Sequence, residues 1–173
     1  MRHVGKVRSR GLATRLFVKG LEMVRNSATV EINAEPAVVF SAIADVTRMG
    51  EWSPECVAGR WVGGATGPAV GARFEGDNRV VLFGVTLKKW TTTSEVTACV
   101  PGEVFEFVAE GYTTWRYQLE RSATGTTVTE SYEYESQRGV QQFVYETLLR
   151  RPATMVRGMQ RTLDRIKQAV EST

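Results

Sequence analysis

The chain has 173 residues, 42% of them apolar and 24% charged, which suits one domain with a real core and does not suit a disordered or fibrous protein. Its net charge of +3 is lopsided: residues 1–25 carry seven Lys or Arg against the single acid Glu22, leaving the rest of the chain at −3, which speaks against nucleic-acid binding by the body of the domain. Two distant cysteines, Cys56 and Cys99, make neither a disulfide framework nor a metal cluster and point to a reducing cytoplasmic setting.

In chain order, residues 12–24 place Leu12, Leu16, Phe17, Leu21 and Val24 on one helical face among basic residues. The pattern predicts either an interfacial amphipathic helix that touches anionic lipid or an arm that is frayed or packed on the domain. Lys19 interrupts the only run resembling a signal-peptide core, and Met23 offers an alternative start. The organisation expected is a basic arm, residues 1–25, followed by one domain over residues 26–173.

Residues 28–34 alternate Val30, Ile32 and Ala34 with polar residues, as a half-buried strand does. Pro36 then opens a helix over residues 36–46, since a proline in the first turn loses no helical hydrogen bond. A short helical turn follows over residues 47–52. Strands are expected over 56–62, 71–83, 87–100, 103–109, 112–121 and 126–135, joined by short turns such as Pro101-Gly102 and Ala123-Thr124-Gly125. Consecutive strands with such turns form an antiparallel meander. A helical stripe covers residues 139–150. The last helix, residues 152–170, puts Met155, Val156, Met159, Leu163, Ile166 and Val170 on one face. At 1.5 Å per residue it is a rod of roughly 28 Å. Helices gathered on one face of an antiparallel sheet make an α+β layer architecture.

This order comes with recognisable words: ATVEINAEPAVVFSAIADVTRMGEWSPE (28–55), RWVGGATGPAVGARFEGDNR (60–79), KKWTTTSEV (88–96), TTWRYQLE (113–120), TTVTESYE (126–133) and GMQRTLDRIK (158–167). Through them the chain resembles the START-like, or SRPBCC, polyketide cyclase/dehydrase superfamily, particularly its actinobacterial members, over roughly residues 28–170. The resemblance implies a helix-grip fold, in which a curved antiparallel sheet wraps a long C-terminal helix, with two short helices after the first strand and an apolar tunnel between sheet and helix. Members bind lipids, sterols, polyketides or quinones. Some catalyse cyclisation or dehydration, and others carry or sense their ligand, so fold alone does not fix function.

Strand parity nominates the tunnel wall. Phe74 and Asn78 share one face, as do Trp90, Thr92, Ser94, Val96, Ala98 and Val100. Trp115 and Tyr117 line the next strand, and Val128, Glu130 and Tyr132 the last. With Trp52, Phe105, Phe107, Met155, Met159 and Leu163, this makes an aromatic-lined pocket with a few polar anchors. Glu130 is the sharpest residue, because a carboxylate facing an apolar pocket is costly and its pKa rises. Either it serves as a general base, with Tyr117 or Tyr132 as proton donor, or it makes a structural hydrogen bond to Asn78 or Tyr117, or it turns to solvent at a bulge. Arg73 and Arg79 are expected on the solvated surface. The only histidine, His3, lies in the arm, so a Ser-His-Asp relay within the domain is excluded. No metal or other cofactor is implied.

The expected function is binding of a hydrophobic small molecule such as a lipid or polyketide. The alternatives are an aromatase/cyclase or dehydratase, a lipid carrier docked to a membrane through residues 1–25, and a ligand-free regulatory module. A monomer or homodimer is expected.

Overall fold

A computed structural model describes residues 14–18, 21–82, 85–136 and 151–172. The helical stripe expected over 139–150 lies outside the described residues. Eight strands form one antiparallel sheet: β1 (Thr14–Val18), β2 (Leu21–Ile32), β3 (Cys56–Val62), β4 (Arg73–Leu82), β5 (Val85–Val100), β6 (Val104–Ala109), β7 (Thr113–Arg121) and β8 (Thr126–Ser136), in the order β1-β2-β8-β7-β6-β5-β4-β3. Between β2 and β3 run α1 (Pro36–Ala44), a 3-10 turn (Val46–Arg48) and the single turn α2 (Met49–Trp52), and the chain ends in α3 (Arg151–Glu171). This is the helix-grip arrangement.

The expected helix over residues 12–24 is absent, and a β-hairpin stands in its place. Leu16 pairs with Met23 and Val18 with Leu21, and β2 pairs with β8 from Glu22 to Ile32. The local helical spacing loses because the inward parity of β2 runs through Val24, Asn26, Ala28 and Ile32, all buried, with Val30 half-buried between the last two. Residue 25 therefore falls in mid-strand, where the sequence suggested the end of an arm.

The short helices are fixed by their turns and by close backbone approach. Asp45 Oδ1 accepts from Thr47 N at 3.1 Å and from Thr47 Oγ1 at 2.6 Å, capping the 3-10 turn. Ser53 Oγ accepts from Cys56 N at 2.9 Å and starts β3. At Gly59 of β3 a Cβ would lie 2.0 Å from Val46 O, and at Gly50 one would lie 2.2 Å from Val57 O. Only glycine lets the turns press this tightly on β3.

Helix α3 packs on β2, β8, α1 and α2. Its face of Met159, Thr162, Leu163 and Ile166 is buried, with Met155, Val156 and Val170 half-buried beside it. The C-terminal half is pinned by polar contacts. Lys167 Nζ donates to Glu31 O, Glu171 Oε1 accepts from Asn33 N at 2.7 Å, and Arg165 donates to Trp52 O at 3.3 Å.

The sheet is curled. Phe74 on β4 and Phe107 on β6, two strands apart, meet at 5.0 Å between ring centroids on its inner face.

Candidate functional site

Strand register places the inward side chains in rows. One row runs Cys99, Phe105, Tyr117, Glu130, Ala28 across β5, β6, β7, β8 and β2. The next runs Val96, Phe107, Trp115, Tyr132, Asn26. Each row holds one cross-strand polar pair. Tyr117 Oη donates to Glu130 Oε1 at 2.9 Å, and Asn26 Nδ2 donates to Tyr132 Oη at 2.9 Å.

Glu130 is 3% exposed. Its Oε2 is buried and has no hydrogen-bond partner among the described residues. Burial pushes the carboxyl from 4.5 up to about 8, with the Tyr117 hydrogen bond opposing part of the rise. Burial, and then the neighbouring Glu130, hold the Tyr117 phenol well above its ordinary value. Near neutral pH the pair is therefore mostly a neutral acid beside a neutral phenol. Because Oε1 already accepts from Tyr117, the carboxyl proton belongs on Oε2, which makes that oxygen a donor. A carboxylic acid kept neutral by an apolar site can hydrogen-bond a carbonyl and can exchange a proton close to neutrality.

The wall around this pair is aromatic. Phe74 meets Phe107 edge-on at 5.0 Å between centroids and Trp61 at 5.7 Å, and Phe105 meets Phe107 at 5.8 Å and Phe40 at 6.4 Å. Trp115, half-buried, lies 5.4 Å from Tyr132. Of the residues expected in the wall, Phe74, Ser94, Phe105, Phe107, Met159 and Leu163 are buried, while Met155 is half-buried at its margin.

Other residues expected in the wall make contacts of their own. Trp52 is buried at the end of α2, with the Arg48 guanidinium 4.9 Å above its ring and Arg165 on its carbonyl. Asn78, Thr92 and Trp90 lie within the β4–β5 ladder, Asn78 opposite Trp90 and Thr92 opposite Gly76. There Asn78 Nδ2 donates to Gly76 O at 2.8 Å and to Thr92 Oγ1 at 3.2 Å, so these polar groups bind one another. Arg73 is exposed and pairs with Glu95 at 2.9 Å, and Arg79 is exposed too.

Parity fails at one place. A bulge between Val96 and Ala98 sets Ala98 opposite the outward Glu106 and Cys99 opposite the inward Phe105. Cys99 therefore takes the inward place expected of Ala98 and Val100. Asn26 is the site residue that sequence reasoning missed. Extending the alternation of Val30 and Ile32 two steps towards the N-terminus, through Ala28, would have found it.

Two clefts lined by described residues open elsewhere. One of about 650 Å³ lies by Asn33, Glu35 and Arg121, and one of about 370 Å³ by Val38, Arg48 and Val170. Neither is lined by a residue expected in the wall. Among the described residues, no helix is long and apolar enough to cross a membrane.

The fold is similar to that of solved proteins. A polyketide cyclase-like protein from Corynebacterium glutamicum is 31% identical, over 85% of this chain and 91% of that one, with a TM-score of 0.57. An AHSA1-like protein from Aeromonas hydrophila is 22% identical, over 86% and 92%, with a TM-score of 0.59. A protein of unknown function from Staphylococcus aureus is 12% identical, over 88% and 96%, with a TM-score of 0.64. No curated protein matches the sequence. The family model described as polyketide cyclase / dehydrase and lipid transport matches residues 23–171, nearly the whole sheet and all of α3. With that span and the Corynebacterium likeness together, the chain belongs to the polyketide cyclase/dehydrase and lipid transport family.

Proposed function

We propose that the chain binds a hydrophobic small molecule bearing a carbonyl or similar acceptor, between the concave face of the sheet and α3. The observation that carries this reading is Glu130: a fully buried carboxyl, neutral near physiological pH, with one oxygen unpartnered among the described residues and aromatic side chains in the rows around it. The aromatic wall supplies apolar burial, at about 25 cal/mol per Å² before the entropic cost of binding. Oε2 of Glu130 supplies orientation, and half-buried Trp115 and Met155 mark the margin where a guest would enter. Native mass spectrometry of freshly purified protein tests it. The expected result is a co-purified lipid or polyketide-like molecule that dissociates on unfolding and is retained less by Glu130→Leu, which removes the donor, than by Glu130→Gln, whose amide N–H keeps one. Repeated recovery of empty protein, with no uptake of added lipid or polyphenol, refutes it.

The Tyr117–Glu130 pair favours a second reading, catalysis of ring closure in a poly-β-ketone. Ionised Glu130 would take a proton from a carbon between two carbonyls, and the enolate would attack a second carbonyl to form the carbon–carbon bond. The new alkoxide would take a proton from Tyr117 or Tyr132, and loss of water would follow. Product distributions from a reactive poly-β-ketone test this reading, and a Glu130→Gln variant that shapes products as the native chain does refutes it.

A further inference from the structure

The far end of the β4–β5 hairpin outruns its neighbours. Strand β3 pairs with β4 only as far as Asn78, and β6 pairs with β5 only from Ser94 onward. Beyond these points β4 and β5 pair with each other alone, through Val80–Lys88, Val81–Thr86 and Leu82–Val85. Among the described residues no third strand pairs with this two-stranded end, and its side chains are correspondingly wet. Among the described residues nine large apolar side chains are exposed, and four of them, Val80, Val81, Val85 and Leu87, crowd onto this one end. Val85 and Leu87 are 62% and 60% exposed. Val80 and Val81 alternate in face along β4, opposite Lys88 and Thr86, and a bulge leaves Leu87 unpaired on β5 between those two, so exposed apolar side chains stand on both faces of this end.

A collar of cations rings the base of the apolar end, with Lys88 level with Val80 and with Arg79 and Lys89 one step further back. Arg79, Lys88 and Lys89 are all exposed. Arg79 pairs with Lys89 across the ribbon, and Lys88 Nζ lies 5.1 Å from the centroid of the Trp90 ring. No Asp or Glu occurs from Asn78 to Ser94. Asp77, at the base, is held by Arg60 and Thr91. Among the described residues no carboxylate pairs with the three collar bases.

We infer that the β4–β5 tip docks the protein on an anionic lipid surface. The layering carries the inference. Arg79 sits two residues from Val81, about 7 Å along the strand, which matches the step from the acyl boundary to the phosphates at a bilayer interface. A second copy of the chain fits worse, because joining two such tips would bring six unpaired cations together. A protein groove would meet one face of a ribbon, whereas both faces here are apolar. The inference is independent of the Glu130 site.

Co-sedimentation of the full chain with vesicles of phosphatidylcholine alone, or mixed with anionic phosphatidylglycerol, tests it. Binding is expected to the anionic vesicles, weakening as salt rises. The Lys88→Ala/Lys89→Ala variant should lose about fivefold in partitioning for each base removed. Val85→Ser/Leu87→Ser, at exposed positions that the fold does not need, should lose about tenfold with its melting temperature unchanged. A deletion of residues 1–13 separates the basic N-terminal segment from the tip. Lost binding in that deletion, with the tip variants binding as the native chain does, overturns the inference. So does an intact chain that binds neither vesicle, or tip variants that alter only the self-association of the free protein.

Discussion

Replacing Glu130 by Gln should make the protein more stable, and by an amount set by pH. Gln has the shape of the neutral acid, and its amide oxygen can accept from Tyr117 as Glu130 Oε1 does at 2.9 Å. It cannot ionise. In the native chain the carboxyl titrates at about 8, raised from 4.5 by burial. Between those values the folded protein holds a proton that the unfolded chain has released, so stability falls as pH rises through the window. At roughly 1.4 kcal/mol per tenfold, the whole interval is about 5 kcal/mol. Urea unfolding followed by tryptophan fluorescence, run on both proteins between about pH 5 and pH 8.5, measures the difference. The two curves should nearly coincide at the acid end and separate steadily in favour of Glu130→Gln. Every other titrating group is common to both and cancels. A difference that stays flat across pH, or a variant that is the weaker at alkaline pH, would mean that Glu130 folds as a stabilised anion. The neutral-donor reading of Oε2 would then be wrong.

Tyr117→Phe removes the hydrogen bond that holds the Glu130 carboxyl down. It should cost about 1–2 kcal/mol near pH 5 and move the alkaline loss of stability to higher pH in the same titration. Gly59→Ala should destabilise by more than about 3 kcal/mol, because its Cβ would meet the Val46 carbonyl. Gly67→Ala, with nothing within 4 Å of the added carbon, should leave the thermal midpoint where it is. Burial pushes the Cys56 thiol up to about 11, so it should resist a disulfide reagent at neutral pH and react only on unfolding. A fast-reacting Cys56 would show that β3 opens from the core.

The sequence was most readable where local pattern and burial agree. The alternation through Val128, Glu130 and Tyr132 placed a carboxylate on the apolar side of β8, and it is there, 3% exposed. The same logic gave Trp115 and Tyr117 on β7 and the buried stripe of α3. It failed where long-range pairing overrides local spacing. Leu16, Phe17, Leu21 and Val24 fit a helix in isolation, but β8 offers β2 a complete row of backbone partners, and β1 folds back along it. It failed again at the β5 bulge, because alternation cannot register an extra residue. The pairing of Tyr117 with Glu130 was one option among several until strand register put them opposite one another. Asn26 went unnoticed because a polar residue at an inward position breaks no hydrophobic count.

That extra residue is Thr97, whose hydroxyl donates to Glu106 Oε1 at 2.8 Å on the outer face. It makes the strand tolerant of a change in length at this point and intolerant where the pairing is regular. A chain lacking Thr97 would still bring Val96 to Phe107 and Cys99 to Phe105, losing only a local kink and one surface hydrogen bond. Removing Thr93 instead would turn one arm of β5 inside out, sending Ser94 and Val96 to solvent or their partners on β4 to the wrong side. Relatives of differing strand length would accordingly gain or lose their residue at this joint, and a designer shortening the domain should cut there.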